Sequence, residues 1–105
     1  MLARRLDMAI DIDFFPLGHG QNLESLPSQY LSRFYVDTAQ GFHRPAFDCA
    51  CAVFGTQHLL YGSDHFFHGS RWRPELNQFL SGVPLSQAER HAITRGNAER
   101  LLPGL

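Results

Sequence analysis

The chain has 105 residues, 44% of them hydrophobic, which is enough for one globular domain and too little for two. Nine Lys+Arg against ten Asp+Glu leave a formal net charge of −1, and no stretch gathers cations with aromatics, so a nucleic-acid surface has little support. All of the cations are arginine, which excludes Schiff-base chemistry on a lysine amine.

Leu2, Leu6, Ala9 and Ile10 recur at helical spacing and predict an amphipathic helix over residues 2–13, stopped before Pro16. Asp7, Asp11 and Asp13 interrupt what would have to be the apolar core of an export signal. No apolar run approaches the roughly 18 residues that a membrane-spanning helix needs. The expectation is a cytoplasmic protein without membrane contact. Residues 16–28 hold Gly18, Gly20, Asn22, Ser25 and Pro27, the composition of an irregular connection. His19 lies in its LGHGQN stretch, where a phosphate contact is one reading and an ordinary loop residue the plainer one.

FYVDTA, residues 34–39, has the aromatic and β-branched content of a short strand, with Asp37 near its end. A second strand is expected over residues 58–63. Between them, Pro45 suits the first turn of a helix, Phe47, Ala50 and Phe54 share a face, and Gly55 suits its end. Strand, helix and strand within about 30 residues make a βαβ unit with parallel strands. Cys49 and Cys51 are two apart, and on a helix such side chains point away from each other, so a bridge between them is excluded. They read as reduced thiols and as small buried apolar fillers, with metal binding as the alternative.

RWRPELNQFL predicts a helix over Pro74–Leu80, with Trp72 between two arginines as a surface anchor, followed by a turn at Gly82-Val83-Pro84. SQAE is a capping-box pattern in which Ser86 and Glu89 exchange side-chain and backbone hydrogen bonds. A helix from Gln87 to about Arg95 follows. Gly96 is expected to end it in a left-handed conformation, and Asn97 to cap a last short helix, AERLL, closed by Pro103-Gly104.

In parallel α/β folds, reactive groups occupy the carboxyl ends of strands, where the strand holds a residue rigid and the following loop opens to solvent. Both strands here run out at an aspartate, Asp37 and Asp64. Asp64, in YGSDHFF, can ligate a divalent metal or hold a metal-bound water; the plainer reading is a cap on the turn. Asp37 lines the same site or bonds nearby amides. His65 and His68, around a phenylalanine pair, read as exposed loop residues, with substrate or metal contact as the alternative.

FYVDTA, the crossover helix, HLLYGSDHFF and PLSQAERHAITRGNAERLL, in that order over residues 30–103, resemble the C-terminal part of a family. It comprises the amidohydrolase-related metal-dependent proteins that include aminocarboxymuconate-semialdehyde decarboxylase and the resorcylate decarboxylases. A lone G-S-D is weak; the ordered set is specific. The resemblance implies an α/β fold, the seventh and eighth strands and closing helices of a (β/α)8 TIM barrel. On this reading residues 1–105 are one unit, with 1–29 a helix and loop and 30–105 the motif-bearing part. It also implies that Asp64 is a metal-site and catalytic carboxylate, that the metal is divalent, zinc by preference, and that the substrate is a small carboxylated or cyclic organic molecule acted on by hydrolysis or non-oxidative decarboxylation.

Two departures qualify the resemblance. His65-Phe66-Phe67-His68 stands where the family has a proline-containing loop. The family's H-x-H or E-x-H motif and its middle-strand histidines have no counterpart among histidines 19, 43, 58, 65, 68 and 91. A (β/α)8 barrel takes about 250 residues to close, so two strands would leave the barrel incomplete and its apolar edges open. The expectation is a homo-oligomer, or a partner supplying the missing N-terminal barrel segment. The 105 residues alone are expected to lack catalysis, because one carboxylate does not replace the three protein ligands of a catalytic zinc. The alternatives are a non-enzymatic truncated relative that oligomerises, and a small Cys/His metal-binding module.

Overall fold

The structure, a computed structural model, describes residues 2–11, 23–39, 43–64 and 72–104. His19, His65, His68 and the side chain of Trp72 lie outside what is described, as do residues 12 and 13 of the expected first helix. The chain divides into two compact units, Met1–Phe34 and Tyr35–Leu105.

In the first unit, helix α1 spans Leu2–Asp11 and helix α2 spans Pro27–Leu31. A helix start leaves backbone N–H groups without partners. The carboxylate of Asp7 on α1 accepts from the Ser28 amide at 2.8 Å, so a side chain from another helix supplies what Leu26, at the N-cap, does not. Arg33 lies over the Tyr30 ring at 4.9 Å, a cation–π contact that closes this short helix.

The second unit opens with the expected βαβ arrangement. Strand β1, Val36–Asp37, and strand β2, Leu59–Leu60, pair in parallel, with Val36 opposite Leu59 and Asp37 opposite Leu60. Helix α3, Arg44–Phe54, crosses between them with Pro45 in its first turn. Gly55 ends it at φ 77°, a conformation glycine adopts without the steric cost of a Cβ. The ladder is shorter than the sequence suggests. A tight turn at Thr56–His58 takes up the start of the second expected strand, the His58 amide donating to Gly55 O at 3.1 Å.

Phe47 on α3 is buried, with Ala50 and Phe54 half-buried beside it, as their shared face requires. Arg44 and Asp48 pair across one turn at 2.7 Å. Cys49, however, is exposed and Cys51 only half-buried, which corrects their reading as buried fillers; Cys49 falls on the solvent side of the helix whose inner face Phe47 defines. Burial, then the nearby Asp48 and Glu89 carboxylates, push the Cys51 thiol up from its usual value.

Helix α4, Trp72–Gly82, is longer than expected at both ends. Leu76 and Leu80 on it are buried, and Phe79 meets Phe47 edge to face at 5.5 Å. Phe47, Leu59, Leu76, Leu80, Val83 and Ile93 form the core, which draws on both βαβ layers and the closing helices. Each such burial contributes about 1.5–3 kcal/mol.

The closing segment departs from expectation. Helix α5, Gln87–His91, begins with the predicted capping box: the Glu89 amide donates to Ser86 Oγ at 3.2 Å, and the Ser86 amide donates to Glu89 Oε2 at 2.9 Å. The helix does not stop at Gly96. It passes through a π-helical turn, Ala92–Gly96, and continues as α6, Asn97–Leu101. Gly96 is right-handed at φ −61°, so it is no left-handed terminator. Asn97 is fully buried and caps nothing in its own helix. Its carboxamide donates to the carbonyls of Thr56 at 2.8 Å and Leu59 at 2.7 Å, and this distant demand decides the local geometry.

Candidate functional site

Because β1 and β2 are parallel, their carboxyl ends emerge on one side of the unit, and the chain brings Asp37 and Asp64 to that side. Thr38, immediately after β1, is 1% exposed. Its hydroxyl donates to Gly62 O and accepts from the Gly62 amide, both at 3.2 Å. The Thr38 amide meanwhile donates to Leu60 O at 2.9 Å. One threonine thus extends the ladder beyond the paired residues and clamps the segment that carries Asp64.

Gly62 is required there by close approach. A Cβ at this position would fall 2.8 Å from the Cβ of Asp37, where no real contact is so short. Asp37 in turn accepts from the Ala39 amide through Oδ1 at 2.9 Å, the local turn bond that aspartate makes readily. Asp37 thus bonds a nearby amide, as one of its two readings has it.

Asp64 has φ 47°, and among the described residues it is the one non-glycine in the left-handed region. Aspartate is among the few L-residues that visit this region, and strained backbone of this kind costs of order 1–3 kcal/mol. The half-buried carboxylate is thus delivered by a backbone turned away from the strand direction, one residue past Ser63.

Three histidines fall among the described residues. His58 directs Nδ1 at Phe54 O at 2.9 Å and meets Tyr35 edge to face at 4.9 Å, so its ring is held in packing. His43 is exposed at the start of α3, and His91 is exposed on α5. Among the described residues no three of His, Cys, Asp and Glu come together as a metal-binding group. A catalytic zinc takes three protein ligands, so the described donors of this chain do not by themselves fit one. Cys49 and Cys51 likewise belong to no such group among the described residues.

The far edge of β2 is closed from within. The Leu59 amide donates to Thr56 O, the Leu59 carbonyl accepts from Asn97, and the Tyr61 amide donates to Ile93 O at 3.0 Å. A π turn frees carbonyls from the regular ladder, and Ile93 lies in it. Sequence reading missed Thr38 and Asn97 as organisers of this region. Only the G-N-A-x-R-L-L string carried a trace of the second.

No helix among the described residues is long and apolar enough to cross a membrane. The amidohydrolase family model matches residues 20–104. No curated protein matches the chain. Among solved structures, a protein described as an amidohydrolase from Staphylococcus aureus aligns at TM-score 0.75 and 28% identity, over 98% of this chain and 30% of that one. The 5-carboxyvanillate decarboxylase LigW from Sphingomonas paucimobilis aligns at TM-score 0.77 and 22% identity, over 94% of this chain and 29% of that one, a likeness of fold. The chain therefore spans about 30% of the length of the solved proteins it matches.

Proposed function

The chain belongs to the amidohydrolase family, and from that premise we propose that it forms the C-terminal part of a TIM-barrel hydrolase or non-oxidative decarboxylase acting on a small carboxylated or cyclic organic substrate. The observation that carries the proposal is Asp64, set in a left-handed turn after the second of two parallel strands, where barrel enzymes keep their reactive groups. In this reading Asp64 presents one carboxylate to a divalent metal, zinc by preference, whose other donors come from the remainder of the barrel. Bound there, such an ion would polarise the substrate or activate water.

What this chain's own residues do is hold the carboxylate in place. Thr38 fixes Gly62, Gly62 allows β1 and β2 to converge, and the backbone turns at Asp64. A reactive group held by a clamped backbone loses little freedom on binding substrate, which is how positioning lowers a barrier. The 105 residues alone are inactive on this reading.

The test is metal analysis of the chain combined with the missing part of a related barrel. A stoichiometric divalent ion that is lost on Asp64→Asn supports the proposal. An ion retained in full by that variant removes Asp64 from the centre.

A further inference from the structure

Helices α3 and α4 meet through Phe47 and Phe79, and together they border a cavity of about 420 Å3 lined by Arg44, Glu75, Gln78, Phe79, Gly82 and Val83. That volume falls within the roughly 300–1,000 Å3 of small-molecule sites. Gln78, Phe79 and Gly82 follow Glu75 at the spacing that places side chains on one face of a helix, so a single face of α4 forms most of the lining. The floor is apolar, with Val83 buried and Phe79 half-buried, and the exposed side chains of Arg44, Glu75 and Gln78 make a polar rim.

The rim carries both charges without joining them. Arg44 directs Nε at both oxygens of Asp48, at 2.7 and 2.8 Å, which leaves its two terminal amino groups without a hydrogen bond among the described residues. The side chains of Glu75 and Gln78 have no hydrogen bond or ion pair there either. Opposite charges that line one cavity and do not meet suit a molecule that carries both. The planar guanidinium takes a carboxylate through parallel N–H bonds, and Glu75 takes an ammonium. A plain carboxylate would leave Glu75 unanswered, and a plain amine would leave Arg44 so. Phe79 and Val83 offer the surface on which an apolar part is removed from water.

We infer that this cavity binds an α-amino acid with an apolar side chain, its carboxylate on Arg44, its ammonium on Glu75 and its side chain against Phe79 and Val83. The ligand links α3 to α4 through charges that the chain itself leaves apart. None of these residues takes part in the arrangement of Thr38, Gly62 and Asp64, so the inference does not rest on the metal reading above.

The experiment titrates the 105-residue chain calorimetrically with L-leucine, with isovalerate, which lacks the ammonium, and with isopentylamine, which lacks the carboxylate. The expected result is saturable one-to-one binding of leucine, with each of the other two at least tenfold weaker. Gly82→Leu fills the cavity: a Cβ there meets no heavy atom within 4 Å, and replacing a helical glycine does not lower helix propensity. This variant weakens leucine binding at least tenfold and leaves the circular dichroism as it was. Arg44→Gln and Glu75→Gln do the same, the first at the loss of an exposed ion pair that contributes little to stability. Should Gly82→Leu disturb the circular dichroism, Glu75→Gln, which keeps the shape, decides. No saturable binding of leucine at millimolar concentration, isovalerate or isopentylamine binding as tightly as leucine, or undiminished binding by the variants would each overturn the inference.

Discussion

The hydroxyl of Thr38 and the backbone of Gly62 exchange both of their hydrogen bonds, each at 3.2 Å, 24 residues apart in sequence. This clamp joins the ends of two strands that otherwise pair over two residues each. Thr38→Val keeps the shape and removes the hydroxyl, leaving the Gly62 amide and carbonyl without this partner. An unsatisfied buried group costs about 1–3 kcal/mol. Urea denaturation should show a loss in that range, and an unchanged midpoint would mean that water replaces the hydroxyl.

Asn97 makes a similar demand at the other end of the sheet. Asn97→Ala leaves the carbonyls of Thr56 and Leu59 without their donor. Thr56 is half-exposed and can turn to water, whereas Leu59 is buried. The expected loss is therefore one unsatisfied group, about 1–3 kcal/mol. The same variant should speed exchange of the Tyr61 amide, because the closing segment that accepts from it loses one of its ties to the sheet. Slow exchange at Tyr61 in a destabilised variant would separate the two effects.

Gly96 offers a prediction of opposite sign. A Cβ there would lie 3.2 Å from His91 Nδ1, a tight contact with the end of an exposed side chain that can swing aside. The backbone is already right-handed at φ −61°. Gly96→Ala should then gain about 0.5–1 kcal/mol of helix propensity, raising the melting temperature. A fall that His91→Ala rescues would show the imidazole to be fixed; a fall that it does not rescue would place the strain in the π turn.

The capping box gives a pH dependence. Hydrogen bonds from the Ser86 hydroxyl, and then from its amide, hold the Glu89 carboxyl below its usual value. A group whose folded value is lowered contributes stability that is present above its unfolded value, about pH 4.3, and is lost as pH falls through the lowered value. Glu89→Gln should therefore melt below the parent chain at neutral pH, with the gap closing in acid. A gap that stays constant down to pH about 3 would assign the cap to geometry without charge.

The two thiols should be told apart by alkylation. Cys49 is exposed, while Cys51 is half-buried with its thiol pushed up by burial first and by the Asp48 and Glu89 carboxylates next. The thiolate is the reacting form. Iodoacetamide with peptide mapping should label Cys49 well before Cys51. Equal rates would mean that α3 opens on the timescale of the reaction.

What the sequence made legible was local chemistry or simple topology. Pro45 in a first turn, Gly55 at a helix end and the exchange between Ser86 and Glu89 are decided within a few residues, and parallel pairing of the two strands followed from a crossover helix of fitting length. The aspartate at the end of β1 was visible, whereas Asp64 lies four residues beyond the end of β2; the ordered set of segments that led to the family was visible as well. The failures at Gly96, Cys49 and Thr38 involve partners far along the chain. Gly96 looked like a stop because nothing nearby announces that Asn97 bonds carbonyls 38 and 41 residues away. Cys49 looked buried because composition does not say which face of α3 meets Phe79. Thr38 carries no local signal, since its role exists only once Gly62 lies against it.

The π turn at Ala92–Gly96 also sets a rotational phase. Each residue of an α-helix advances about 100° around the axis, and a π turn closes its hydrogen bonds over one residue more than an α turn. Shortening the chain by one residue within that turn would let an unbroken α-helix form, better bonded in itself. The residue that now reaches the Leu59 carbonyl would face about a quarter-turn astray, so at this joint the irregular winding is what keeps the last helix in gear with the sheet.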